Sequence, residues 1–320
     1  MYDEILVPLD GSELAEVALP YAEELSGRLG SNVTLIHVAG PLHYAPDRLY
    51  NTYLAHMAQI TRQLAERYVA EPERKKGIKV EAKMLAGEPA EEIIDYSEKI
   101  DAGLIIMATH GQSGIKRWPM GSVAERVMRV SKQPVWLIRA RDARSDMREK
   151  GALDRALVPL DGSKESEAVI PYIEELASRL EADVILLQVL PLGHHGINPA
   201  GEGYEYIYYR QDKIESDKAF AKDYLDGVSV RLKQKGVKVE SQVRFGSAAE
   251  EIIELSTTMQ ADVVAMSTHG RSGIARWVIG SVAERVLYEG CCPLLLVRPP
   301  VTKETIQHQE NSKGLTTSHI

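Results

Sequence analysis

A chain of 320 residues has room for two ordinary domains, and with 44% hydrophobic and 26% charged residues it reads as globular rather than disordered or fibrous. Its 46 acidic against 38 basic side chains leave a net charge of −8, which argues against broad binding along nucleic-acid backbones but leaves room for a local phosphate site. MYDEILVPLD carries no basic leader, and no window reaches the roughly 20 apolar residues of a spanning helix, so a cytoplasmic protein without membrane contact is expected.

In chain order, EILVPL is a short apolar run that ends in Asp10-Gly11-Ser12, with Ser12 placed to cap an amphipathic helix running to Arg28. VTLIHV reads as the second strand, and a helical pattern follows from about Asp47 to Glu71. KVEAKMLAG alternates like a half-buried strand, and Pro89 suits the first turn of a helix through AEEIIDYS. GLIIMA is a continuous apolar run fitting a central parallel strand covered on both faces. The loop ATHGQSGIKRWPMGSVAERV comes next, leading into the helix SVAERVMRV and a last strand, VWLIR.

The order then begins again. LVPLDGS at 6–12 recurs at 157–163, ALPYAEELSGRL is matched by VIPYIEELASRL, and the loop returns at 267–286 with 15 of 20 positions the same. The chain is a tandem duplication. Asp10 and Asp161 are 151 positions apart but Gly111 and Gly270 are 159 apart, so the second copy carries eight extra residues, in the Gly- and Tyr-rich stretch GINPAGEGYEYIYYR. That insertion reads either as a loop over a site or as a surface loop packed on its own scaffold. The expected organisation is a first domain at 1–142, a charged linker at 143–153, a second domain at 154–300, and a polar tail at 301–320 with poor order. Cys291 and Cys292 are adjacent, which suits neither a structural disulfide nor a zinc site; they read as buried strand residues in a reducing compartment.

Five strands separated by four helical segments imply, in each half, a parallel α/β sheet with right-handed crossovers. Ligands of such sheets bind beyond the carboxyl ends of the strands. The Asp10 turn and the repeated loop would both lie there. Gly111 would let the backbone turn and expose N–H groups, Gly121 would let it approach a ligand, and Ser122 opens a helix whose first N–H groups attract anions. A phosphate could bind through such donors without net positive charge on the protein. The known phosphate loops do not fit: Gly121 and Gly280 are followed by Ser-Val rather than Lys-Ser or Lys-Thr, and no GxGxxG is present.

With VPLDGS after strand one and His-Gly, nine residues and Gly-Ser after strand four, the chain resembles the universal stress protein family in a tandem two-domain form. The family's ATP-binding members show G-x-x-G, nine residues, then G-S/T. Gly111 and Gly121-Ser122 match this in the first copy, and Gly270 and Gly280-Ser281 in the second. Ala108 and Ser267 stand in place of the pattern's first glycine. The resemblance implies two flavodoxin-like, adenine-nucleotide-binding domains, each a five-stranded parallel sheet of order 3-2-1-4-5 with helices on both faces. It implies that Asp10 and Asp161 approach the adenosine, that Val38 and Val189 offer backbone groups to adenine, and that the Gly-Ser loops hold the triphosphate of ATP. The corresponding binding residues are Pro8, Leu9, Asp10, Val38, Met107, Ala108, His110, Gly111, Gly121, Ser122 and Val123, then Pro159, Leu160, Asp161, Val189, Met266, Ser267, His269, Gly270, Gly280, Ser281 and Val282. It further implies pairing of the two last strands within one chain; association with a second chain and a regulatory protein partner stay open.

Plainer readings stand beside these. Asp10 in Asp-Gly-Ser is also an ordinary turn residue, and His110 and His269 serve equally well as loop anchors. Trp118 and Trp277 read as packing residues, Arg117 and Arg276 as a solvated face, and His194-His195 as loop. No metal spacing appears, so any Mg²⁺ would arrive with the nucleotide. Three functions compete: a nucleotide-responsive binding module, a slow ATPase or nucleotidyl-transferring enzyme, and an interaction protein that has lost the nucleotide. No catalytic constellation favours the enzyme.

Overall fold

The computed structural model describes residues 1–40, 48–69, 77–111, 120–139, 151–191, 196–197, 204–205, 211–270 and 279–300. The polar tail, most of the linker, most of the Gly- and Tyr-rich insertion, His194-His195, and the loop residues Arg117, Trp118, Arg276 and Trp277 lie outside these.

The apolar runs of the first copy form β1 (Glu4–Pro8), β2 (Asn32–Ala39), β3 (Val80–Ala86), β4 (Leu104–Ala108) and β5 (Val135–Ile138). Between them lie α1 (Glu13–Glu16), α2 (Leu19–Leu29), α3 (Arg48–Ala65), α4 (Pro89–Lys99) and α5 (Ser122–Val130). The second copy repeats this with β6 (Arg155–Pro159), α6 (Ile170–Leu180), β7 (Asp183–Leu190), α7 (Gln211–Lys233), β10 (Lys238–Phe245), α8 (Ala248–Thr258), β11 (Val263–Ser267), α9 (Ser281–Glu289) and β12 (Leu294–Val297). Two short strands, β8 (Gly196–Ile197) and β9 (Tyr204–Glu205), pair with each other inside the insertion.

Each half has strand order 3-2-1-4-5, and all neighbours within a half are parallel. The halves join where β5 and β12 pair antiparallel, giving one ten-stranded sheet in the order β3-β2-β1-β4-β5-β12-β11-β6-β7-β10. Strand alternation divides the core between the two faces, with Ile5 and Val7 on one and Leu6 on the other. Burial of Leu104, Ile105 and Ile106 on both sides accounts for the unbroken apolar run of β4.

The seam has the symmetry of a closed dimer. Trp136 lies opposite its own counterpart, Leu295. Arg28 donates to the carbonyl of Leu180, and its counterpart Arg179 donates to the carbonyl of Leu29. The Met1 amine reaches Glu175 at 3.2 Å, while the Ala152 N–H reaches Glu24. Arg139 donates to the carbonyls of Leu287 and Cys292, and Arg298 to that of Val130. Each half thus satisfies carbonyls at the helix ends of the other.

Two expectations need correction. The first helix does not run unbroken to Arg28: α1 ends at Glu16 and α2 starts at Leu19, because Pro20, in the first turn of α2, has no N–H to continue the ladder. The cysteines are not strand residues. They occupy the turn between Gly290, which ends α9, and Pro293, with Cys291 exposed and Cys292 partly buried.

Candidate functional site

The Asp-Gly-Ser turn is built around the same aspartate and serine bonds in the two copies. Asp10 Oδ1 accepts from Ser12 N–H at 3.0 Å and Ser12 Oγ–H at 2.6 Å, while Ser12 Oγ accepts from Ala15 N–H and so caps α1. Asp161 Oδ1 accepts from Ser163 N–H at 2.9 Å and Ser163 Oγ–H at 2.5 Å, with Ser166 N–H donating to Ser163 Oγ. The intervening Gly11 and Gly162 both sit at φ +83°, which is why glycine follows the aspartate.

The glycines of the repeated loop have a different basis from the one their pattern suggests. Gly111 and Gly270 are not among the residues with positive φ. Instead a Cβ on Gly111 would overlap Asp10 Oδ2, and a Cβ on Gly270 would overlap Asp161 Oδ2. The aspartate of the first turn is pressed against the loop after strand four, and glycine makes the room. Gly121 and Gly280 close the loop on itself: their N–H groups donate to the carbonyls of Thr109 and Thr268 at 2.8 Å, and an added Cβ would stand 3.3 and 3.4 Å from those oxygens.

Beyond this closure α5 and α9 begin without a side-chain cap, with Gly121 and Gly280 in the N-cap positions. Their first-turn N–H groups are therefore available donors, reinforced by the helix dipole. Nothing comparable is open at α1, where Ser12 fills the role.

In the second half these parts surround a cavity of about 260 Å³. All eleven expected residues of that half line it: Pro159, Leu160 and Asp161 from the end of β6, Val189 from β7, Met266 and Ser267 from β11, His269 and Gly270 from the loop, and Gly280, Ser281 and Val282 at the start of α9. In the first half, their counterparts Pro8, Leu9, Asp10, Val38, Met107, Ala108, His110, Gly111, Gly121, Ser122 and Val123 stand at the matching ends of β1, β2, β4 and α5. Both copies hold the strand-one turn to strand two by the same bond, Leu9 N–H to Ile36 O and Leu160 N–H to Leu187 O, each 2.8 Å.

The sequence pattern did not single out Ser166, Leu187, Ala248, Ile252, Thr268 and Ala283, which also line the cavity. Thr268 carried a signal, since Thr-His-Gly opens both loops; the others are ordinary packing letters whose place depends on how α8 and α9 lie across the sheet. Behind the turn, Tyr53 donates to Glu16 at 2.8 Å, and burial followed by this bond holds its phenol well above the ordinary tyrosine value. Tyr224 is raised likewise, by burial first and then by the charge of Glu167. Among the described residues no helix is long and apolar enough to cross a membrane.

Fold and cleft define a doubly wound α/β protein in two joined copies, with the cleft where strand order reverses. The sequence pattern described as the Universal stress protein family matches residues 1–139 and 152–298, and the chain belongs to that family. A universal stress protein of Mycolicibacterium smegmatis is 25% identical over 305 residues, covering 92% of this chain and 97% of its own. Universal stress protein MJ0531 of Methanocaldococcus jannaschii is 31% identical over 146 residues, 46% of this chain and 82% of its own. The crystal structure of a universal stress protein from Archaeoglobus fulgidus superposes with a TM-score of 0.62 at 22% identity, covering 93% of this chain and 99% of that one, and so shares the tandem fold.

Proposed function

We propose that each half, residues 1–142 and 154–300, binds an adenine nucleotide, ATP with Mg²⁺ carried on its phosphates, and that the protein acts in the cytoplasm as a nucleotide-responsive regulatory module with a protein partner. The observation that carries this reading is the second-half cavity, where the strand-end residues and the uncapped N-terminus of α9 line one space. Its apolar wall of Leu187, Val189 and Ile252 suits a planar base. Asp161 suits sugar hydroxyls rather than phosphate, and the first-turn N–H groups of α9 at Ser281 and Val282 suit the phosphates. Any hydrolysis is expected to be slow, because the hydroxyls that meet a base there are held in structural contacts, Ser163 on Asp161 within the turn and the buried Thr268 on His269 within the loop.

Titration calorimetry with ATP and Mg²⁺ tests the reading. We expect saturable heat and up to two nucleotides per chain. Val at Gly121 and Gly280 crowds the carbonyls of Thr109 and Thr268 and should abolish it. Unchanged affinity in a folded double variant would falsify the loop assignment, and phosphate release in the ordinary enzyme range would replace the module by an ATPase.

A further inference from the structure

Most positions that line the second-half cavity carry in the first half the same residue or one of like chemistry. Two of them gain a hydroxyl. Ser166 stands where the first half has Ala15, and Ser267 where it has Ala108. A serine at a cavity wall can donate to an occupant only if the fold has not already placed its proton.

Ser166 has no proton left to give: its Oγ–H donates to the Ser163 carbonyl at 2.9 Å, while its oxygen accepts the Asp161 N–H at 3.3 Å. Ser267 differs. It ends β11, the strand between β6 and β12, and is 5% exposed. Its oxygen accepts the His269 N–H at 3.3 Å, and its own proton meets no acceptor among the described residues. Folded chains rarely leave so buried a donor unused, and at the wall of a cavity the proton is available to whatever fills the space. No Lys or Arg is among the described residues that line this cavity, so acceptor oxygens in it are met by neutral donors, and one further O–H counts for much.

We propose that Ser267 is a specificity-determining residue of the second half: its hydroxyl donates to an acceptor oxygen of the bound nucleotide, a bond the first half, with Ala108, cannot make. The two halves then take the same ligand with unequal affinity, the second being the tighter. With the base on the apolar wall, the sugar and the phosphates are the parts that carry such oxygens. The proposal rests on the nucleotide reading of the cleft and adds to it the donor that separates the copies.

Titration of the full chain with ATP and Mg²⁺ tests it, with Gly121→Val and Gly280→Val used to tell the sites apart. Wild type should bind two nucleotides, the tighter in the second half. Ser267→Ala should weaken the second site about tenfold and leave the first unchanged. Alanine is the residue that the first half carries at this position, so the fold should tolerate it. Should it not, Ser267→Cys keeps the size with a weaker donor and should also lose affinity at the second site alone. Repeating the titrations with AMP and with adenosine locates the oxygen: a loss with adenosine too places it on the sugar, and a loss only with the phosphorylated ligands places it on a phosphate. Unchanged affinity at the second site in the folded variants, or an equal loss at both sites, would overturn the proposal. A wild type that binds no nucleotide would instead sink the reading of the cleft, and this proposal with it.

Discussion

The carboxyl-end turns of the two halves match almost bond for bond, whereas the helices behind them do not. α2 and α3 of the first half pack through Gly27, where a Cβ would overlap the Ala65 carbonyl and the Tyr68 side chain. At the corresponding point of α6 the second half has Ser178, which is exposed and donates to the Lys235 carbonyl at 2.9 Å. There a cleft of about 520 Å³ opens, bordered by Glu167, Glu174, Arg179, Arg231 and Lys235. The duplicated chain kept the cleft chemistry twice and let the outer helix layer diverge. Mobility and partner choice are therefore expected to differ between halves more than ligand chemistry does.

The strongest way to disturb both halves together is at the seam, where the copies are complementary rather than alike. Trp136 is fully buried opposite Leu295 and packs on Tyr21 with ring centroids 6.1 Å apart. Trp136→Ala should cost about 3–5 kcal/mol in urea unfolding. Next comes the contrast itself. Gly27→Ser forces atoms into backbone and should cost about 1–3 kcal/mol. Ser178→Gly alters only an exposed tie and helix propensity, about 0.5–1 kcal/mol. Equal costs would mean that the two helix layers are packed alike after all.

A smaller difference is expected at the turns. Ser12→Ala removes the α1 cap and the hydroxyl that donates to Asp10, at about 1 kcal/mol. Ser163→Ala should cost less, because Ser166, which replaces Ala15 of the first copy, also receives the Asp161 N–H and donates to the Ser163 carbonyl. Thermal unfolding of the two variants side by side checks the order.

Much of this was legible in the chain. The tandem copies and the alternation of strands with helices follow from apolar runs and turn residues, which are local signals, whereas the strand order that brings VPLDGS to the Gly-Ser loop came from the family resemblance. Gly111 shows the limit. Its letter signalled a turn, yet what demands glycine there is Asp10, far away in sequence. Gly27 and Trp136 were silent for the same reason, since a close helix approach and a seam partner are decided by tertiary packing. The break at Pro20 could have been read from the missing N–H, and was obscured by an amphipathic pattern that continues across it.

The finest contrast concerns the turn before the last strand. In the first half, Gln133 there accepts from Ser97 Oγ at 3.2 Å; its counterpart in the second half is Cys292, beside exposed Cys291. Burial, and then the neighbouring Cys291, push the Cys292 thiol up to about 11. Because the thiolate is the reactive form, Cys292 should be nearly inert at neutral pH and gain reactivity as pH rises toward that value. Titration of the folded protein with a disulfide reagent should therefore give one fast thiol per chain, Cys291, with the second appearing on unfolding. Two equally fast thiols would mean that the Cys292 side of this turn is open to solvent, and that the second half is looser here than its helix ends imply.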